Sequence, residues 1–352
     1  MKIFSLFILL ICALLCLSGC NSERKNIAKA TEIYNKGMLS SNRGNYNEAI
    51  TYYDEAINMS PKFAQAYSAK GTILVKLDRN QEAIDICDYA INLNPEVAEA
   101  WNTKGIALNN LGRHMDSIAC YNKALSINSN NAEAWNNKGA ALNELGEYQN
   151  AIACYDTAIK LKPNYAEAWS NKGASLNNQG KYQEALFCYD GAININPKNA
   201  EAILNKGGVL TKLNRNQEAI TYCDLAIKLN PQLVEAWFWK GYAYDNLGDY
   251  QKAVTFYDEA IKIDPKSLEA RLNKAVALSR LKKYQDAIAS CDEIIKIDPK
   301  IVKVWTIKGV DLLLVKKYKE ALVCFDKAIE LEPNPSKAEL LKAQKQSILK
   351  KL

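Results

Sequence analysis

Residues 132–165 read AEAWNNKGAALNELGEYQNAIACYDTAIKLKPNY, and residues 166–199 repeat the same order as AEAWSNKGASLNNQGKYQEALFCYDGAININPKN. Each stretch holds two runs in which apolar side chains return every three or four residues, as in Ala151, Ile152, Tyr155, Ala158 and Ile159. That spacing gathers them on one face of an α-helix, so each run predicts an amphipathic helix with a single buried stripe. The proline near the end of each stretch cannot continue a helix and biases its predecessor away from the helical region, so it closes the second helix. One stretch is thus a helical hairpin that must bury its face on the next.

Working outward, Pro61, Pro95, Pro163, Pro197, Pro231, Pro265, Pro299 and Pro333 fall on one 34-residue ladder, with Ser129 at the rung that lacks proline. Taking proline as position 32 gives nine units: 30–63, 64–97, 98–131, 132–165, 166–199, 200–233, 234–267, 268–301 and 302–335. Position 4 carries a bulky packing residue, tryptophan at Trp101, Trp135, Trp169, Trp237 and Trp305, with Tyr67 in place of one; Ile33, Ile203 and Arg271 depart from the aromatic. Position 8 is glycine from Gly37 to Gly309, except at Ala275, and position 20 is alanine except at Ser117. Such small residues imply that the two helices of a unit cross closely at these positions, where overpacking would cost about 1–3 kcal/mol.

Residues repeated in this register resemble the tetratricopeptide repeat family. The resemblance implies an all-α fold: a right-handed superhelical solenoid of nine helix-turn-helix repeats, its concave surface lined by the first helices. Residues 336–352 read as a capping helix, with Ala338, Leu341, Ile348 and Leu352 turned to the last repeat and Lys342, Lys345, Lys350 and Lys351 turned to water.

The amino terminus is of a different kind. Lys2 precedes an apolar stretch from Ile3 to Leu17, short for a bilayer core of about 30 Å and suited to an exported, processed segment. Leu17-Ser18-Gly19-Cys20 resembles the lipobox of prokaryotic lipoproteins. The resemblance implies cleavage after residues 1–19, lipidation of Cys20, a tether over residues 20–29, and a membrane-held body facing outside the cytoplasm, at the cell surface or in the periplasm. An ordinary signal peptide or an uncleaved anchor is the plainer reading.

Composition excludes several functions. Hydrophobic residues make up 48% of the chain and charged residues 24%, which suits a folded protein with a buried core. The net charge of +6 is modest, and its basic residues are spread along the chain, which points away from nucleic acid. Beyond the leader, seven cysteines remain, from Cys87 to Cys324; their odd number and their recurrence at positions 23 or 24 make them packing residues of the second helices rather than a disulfide framework. No cysteine pair has metal-ligand spacing, the only histidine, His114, has no cysteine beside it, and no cofactor motif is present. No repeat carries a nucleophile or phosphate-binding motif, so the chain reads as a binding protein and not an enzyme.

Position 7 is lysine in every repeat, from Lys36 to Lys308, where the family often has leucine. Its stem can cover the neighbouring helix while the ammonium reaches an acid at position 25, such as Asp156 or Asp190. A row of cations neutralising an acidic ligand is the sharper alternative.

By family analogy, positions 2, 5, 6, 9, 12 and 13 line the concave groove. Asparagines recur there: Asn102 and Asn136 at position 5, Asn35, Asn137, Asn171, Asn205 and Asn273 at position 6, Asn109, Asn143 and Asn177 at position 12. An amide both donates and accepts, so such a row can bond a peptide backbone without reading its side chains. The position-6 row is similar to the asparagine ladder in the superhelical repeats of O-linked N-acetylglucosamine transferase, a resemblance that implies an extended polypeptide as ligand. Repeat seven departs from this polar pattern. Phe238, Trp239 and Tyr242, with Asp245 one turn on, make an aromatic group that Leu204 and Leu272 extend, and exposed aromatics often dominate binding energy. The alternative is that they pack between helices. These features predict a membrane-anchored scaffold for a protein or peptide partner; a self-associating structural lipoprotein, hence a homo-oligomer, and a non-catalytic subunit of a surface enzyme complex are the competing readings.

Overall fold

The computed structural model describes residues 25–349, all of whose regular structure is helical. The helices are α1 (25–42), α2 (Tyr46–Met59), α3 (Ala64–Lys76), α4 (Asn80–Leu93), α5 (Ala98–Asn110), α6 (His114–Ile127), α7 (Ala132–Glu144), α8 (Tyr148–Leu161) and α9 (Ala166–Asn178). They continue with α10 (Tyr182–Ile195), α11 (Ala200–Lys212), α12 (Asn216–Leu229), α13 (Val234–Asn246), α14 (Tyr250–Ile263), α15 (Leu268–Arg280), α16 (Tyr284–Ile297), α17 (Val302–Leu314), α18 (Tyr318–Leu331) and α19 (Pro335–Leu349). The chain divides into two compact units between Ser175 and Leu176, and within each unit consecutive helices pack as antiparallel hairpins. No helix among the described residues is long and apolar enough to cross a membrane. Cys20, the apolar leader and Leu352 lie outside the described residues.

Each hairpin turns through one residue at position 15 with positive φ. Glycine fills it at Gly44, Gly112, Gly146, Gly180 and Gly248, but Asp78, Asn214, Lys282 and Lys316 adopt the same left-handed conformation. The backbone bonds around it repeat: Gly146 N–H donates to Asn143 O at 2.9 Å, and Glu147 N–H reaches back to Leu142 O at 2.9 Å, satisfying carbonyls that a helix end leaves bare.

The expected close crossing at position 8 is present, and position 24 shares it with the position-20 alanine: Ala253 O would lie 3.2 Å from a Cβ on Gly241. A Cβ on Gly139 would sit 2.7 Å from Tyr155 Cε1, and one on Gly105 would sit 2.5 Å from Tyr121 Cε1. Position 24, one turn beyond the alanine, reaches across the hairpin. Where position 8 is Ala275, position 24 is the small Cys291, and both are fully buried. This explains the alternation of cysteine: at position 24 it replaces a ring, and at position 23 it stands beside Tyr121, Tyr155, Tyr189 or Phe325. All seven cysteines are buried, and burial pushes the Cys87, Cys223 and Cys291 thiols up to about 12.

Position 4 does more than pack. The indole N–H of Trp101 donates to Pro95 O at 2.9 Å, Trp169 to Pro163 O at 3.0 Å and Trp305 to Pro299 O at 2.8 Å, tying each first helix to the turn that precedes it. Trp135 makes the same bond to Ser129 O at 2.9 Å, so the rung without proline is served equally. Tyr67 reaches Pro61 O, and Arg271 bonds Pro265 O through two guanidinium nitrogens.

In the second unit, α19 closes the last hairpin. Leu341 packs on Phe325 and Ala328. Lys345 does not stand free in water, since its ammonium pairs with Asp326 at 2.5 Å.

Candidate functional site

Position 7 settles first. Lys70 Nζ lies 2.6 Å from Asp54, Lys104 2.5 Å from Asp88, Lys172 2.6 Å from Asp156, Lys240 2.6 Å from Asp224, Lys274 2.6 Å from Asp258 and Lys308 2.5 Å from Asp292; Lys206 pairs with Asp190 in the same way. Every one of these acids is at position 25 of the preceding repeat, sixteen residues back. The lysines serve the seam between repeats. With the carboxylates half exposed, each pair is worth about 0–1 kcal/mol, so the row fixes the register of neighbouring hairpins more than it adds stability.

Six of the ten asparagines at the groove positions hold hydrogen bonds within the protein. Asn136 accepts from Asn171 Nδ2 at 3.0 Å and donates to Glu167 at 2.9 Å. Asn143 accepts from Ser175 at 2.7 Å, Asn109 meets His114 Nδ1 at 2.8 Å, Asn177 accepts from Lys212 at 3.0 Å, and Asn273 donates to Glu269 O of its own helix at 2.9 Å. A group that both donates and accepts is readily satisfied by a like neighbour one repeat away, as Asn136 is by Asn171, so these six are less free than the sequence suggested. Asn102 is 1% exposed, and neither of its amide atoms finds a partner. Asn137 keeps a buried Nδ2 without one, while Asn205 is half-buried and Asn35 is exposed.

The aromatic group of repeat seven is not an exposed patch. Phe238 is 6% exposed and belongs to the core formed by Val254, Tyr257 and Leu278, against which half-buried Trp239 and Tyr242 also pack. Leu204 is buried as well, with Trp239 packed against its cluster. The reason is Gly208, at position 9 of repeat six: a Cβ there would meet the Trp239 ring at 3.1 Å, so the missing side chain admits the indole between α11 and α13. Asp245 ion-pairs with Arg280 across one repeat.

A cavity does open along the groove positions, at the other end of the chain. It measures ≈ 340 Å³ and lies among α1, α3 and the start of α5 in the first unit. Tyr34, Met38, Ser41 and Asn42 supply positions 5, 9, 12 and 13 of repeat one; Gln65, Ser68, Ala69, Thr72 and Lys76 supply positions 2, 5, 6, 9 and 13 of repeat two; Glu99 supplies position 2 of repeat three. Tyr53, Ile73 and Val97 complete the lining, and none of these residues is an asparagine of the row above. The departing feature in the sequence is small size: Ser68 and Ala69 stand where repeat four has Asn136 and Asn137. Ser68 Oγ is buried with no partner, and Thr72 Oγ1 lies 3.0 Å from Thr103 Oγ1 and 3.2 Å from Ser68 O. Burial pushes Tyr53, on the floor, up to about 12, so its hydroxyl stays protonated. The arrangement offers hydroxyl, amide, ammonium and carboxylate groups around an apolar floor.

Comparison with known proteins agrees with this architecture. The tetratricopeptide repeat profile matches residues 98–131, 132–165, 166–199 and 302–335, and a second tetratricopeptide repeat profile matches 34–98, together more than half of the chain. The profile of anaphase-promoting complex, cyclosome, subunit 3 matches residues 212–294. No curated protein sequence matches the chain at a significant level. Among solved structures, a tetratricopeptide repeat protein of Parabacteroides merdae is similar at 18% identity, TM-score 0.55, covering 72% of this chain and 98% of that one. PilF of Pseudomonas aeruginosa is similar at 21% identity, TM-score 0.53, over 59% and 94%. The Cut9–Hcn1 hetero-tetramer of the anaphase-promoting complex is similar at 15% identity, TM-score 0.58, over 91% and 76%. At these identities the likeness is one of fold.

Proposed function

The chain belongs to the tetratricopeptide repeat family, and from that premise we propose that it is a membrane-anchored interaction scaffold that holds an extended segment of a partner protein on the first-helix face of repeats one to three. The observation that carries the reading is the ≈ 340 Å³ cavity lined by groove positions of three successive repeats. A peptide brings a donor and an acceptor with every residue, and the exposed amides of Asn42 and Gln65 are placed to meet them. Tyr34 and Met38 supply apolar contact for alternate side chains.

The anchor in this reading is a lipidated Cys20, the new amino terminus after removal of residues 1–19, with the body outside the cytoplasm. More than one acyl chain holds a protein stably where a single chain does not. Because α1 already takes up residues 25–29 of the expected tether, the link in this reading is shorter than the sequence suggested and presents repeat one, and with it the groove, nearest the membrane.

Crosslinking in membranes followed by mass spectrometry tests the groove, comparing the parent with Thr72→Trp, which fills the cavity from a half-buried position. The expected result is loss of the crosslinked partner with the melting temperature unchanged. Retention of every partner by a well-folded variant overturns the groove. For the anchor, metabolic acyl labelling is expected on the parent and absent from Cys20→Ser; an unlabelled parent overturns lipidation while leaving the groove untouched.

A further inference from the structure

The position-7 row is interrupted once. Seven lysines from Lys70 to Lys308 pair with an aspartate sixteen residues back, but sixteen residues before Lys138 stands Asn122. Among the described residues Lys138 has no ion pair; its ammonium lies over the Trp135 ring, 5.3 Å from the centroid. Trp237 and Trp305 receive Lys240 and Lys308 similarly, at 5.9 and 5.8 Å, yet those lysines also hold their aspartates. The ring is therefore a companion to the usual pair and no replacement for it.

Around the unpaired ammonium is a cavity of ≈ 530 Å³ bounded by α6, α7 and α8, with Ile118, Trp135 and Leu142 as apolar walls and Asn122, Asn150 and Thr157 as polar ones. No acidic side chain lines it. None of its residues lines the groove of repeats one to three. The neighbouring seams show what this lysine position pairs with: a carboxylate oxygen 2.5–2.6 Å from the ammonium, carried by the preceding second helix.

We propose that this seam is a second docking point, which takes a glutamate or aspartate side chain from an acidic segment of a partner protein, the incoming carboxylate completing the pair that Asn122 leaves open. A carboxylate fits better than a phosphate group, because the pocket holds one cation, no arginine and apolar walls suited to a methylene stem. The Asn122 amide lines the same cavity and can donate to the second carboxylate oxygen, whereas Asn150 Nδ2 already donates to Glu147 at 2.8 Å.

The test uses the full mature chain and a fluorescein-labelled hexaglutamate peptide, read by anisotropy, with hexaglutamine as the neutral control. Three variants decide it. Asn122→Asp installs the internal carboxylate that the other seams carry, Lys138→Gln removes the cation, and Ser126→Asp places the same charge on exposed α6 surface one turn away. The expected result is salt-sensitive binding of hexaglutamate by the parent, no binding of hexaglutamine, and affinity reduced about tenfold or more in Asn122→Asp and Lys138→Gln, but unchanged in Ser126→Asp. Because Asn122→Asp restores a pair present in seven other seams, it folds at least as well as the parent, and its melting curve verifies that. Equal weakening by Asn122→Asp and Ser126→Asp overturns the proposal, as does a parent that fails to bind at millimolar peptide. So does an Asn122-dependent attraction to anionic vesicles without any to hexaglutamate.

Discussion

The ring of Tyr155 occupies the space in which Gly139 would carry a side chain, with Cε1 2.7 Å and Cζ 2.9 Å from the site of a Cβ. Tyr155 is 1% exposed, with little freedom to withdraw. Gly139→Ala is expected to destabilise the protein by about 1–3 kcal/mol, helix propensity notwithstanding, because the overpacking outweighs the gain of alanine over glycine in a helix. Chemical denaturation measures it. The pair Gly139→Ala with Tyr155→Cys, which copies the Ala275–Cys291 combination, is expected to recover part of that loss.

Trp239 and Tyr242 are predicted to be stability residues. Their rings meet edge-on at 5.8 Å, and Phe238 lies 5.2 Å from Trp239. A Trp239→Ala, Tyr242→Ala variant is expected to lose about 2–4 kcal/mol in denaturant melts. Crosslinking at temperatures where the variant stays folded should leave the partner of the groove in place.

Lys316 holds φ at 63° on an exposed turn, where a side chain gains nothing to offset the left-handed backbone. Lys316→Gly is expected to stabilise the last hairpin by about 0.5–1 kcal/mol, the cost of a non-glycine residue there less the entropy that glycine adds to the unfolded chain. Thermal melts of the two proteins side by side are the measurement.

Asp311 is fully buried, accepts from Ser279, and leaves Oδ2 without a partner. Burial, the main cause, raises its carboxyl above the usual range, and the Ser279 bond only partly opposes this. The folded state thus holds the proton more tightly than the unfolded chain. Its contribution to stability is full below the ordinary carboxylate pKa and is lost as pH rises through the folded value. Asp311→Asn is expected to melt above the parent at neutral pH and to lose that advantage below about pH 4, the ordinary range of an aspartate.

The period, the hairpins and the partner of position 7 were legible in the sequence because each depends on spacing alone. Proline at one position in 34 closes a helix wherever it stands, and the distance from Asp54 to Lys70 recurs unchanged along the chain. The fate of Trp239 was harder to read, since it depends on Gly208 in the preceding repeat, a second glycine directly after Gly207 and the one available signal. The engagement of Asn136 with Asn171 was hidden for a related reason. Spacing puts Asn136 and Asn171 on the same face, but it does not reveal that each satisfies the other. The cavity at repeats one to three lay in positions that the scheme named, but it was made by the small side chains of Ser68 and Ala69, which offer no chemistry to attract notice.

Where a seam carries an ion pair, it belongs half to one repeat and half to the next, with Asp326 handed to Lys345 after the ninth. A gene encoding such a chain can therefore lose or duplicate a whole 34-residue module by recombination and still match aspartate to lysine at the new junction. The unmatched lysine follows residues 98–131 wherever that module is carried: delete it, and Asp88 arrives opposite Lys138; copy it, and a second vacancy appears. The open seam is then a heritable property of one module, able to be multiplied, moved or erased in a single unequal crossover while the lengths of the helices stay as they are.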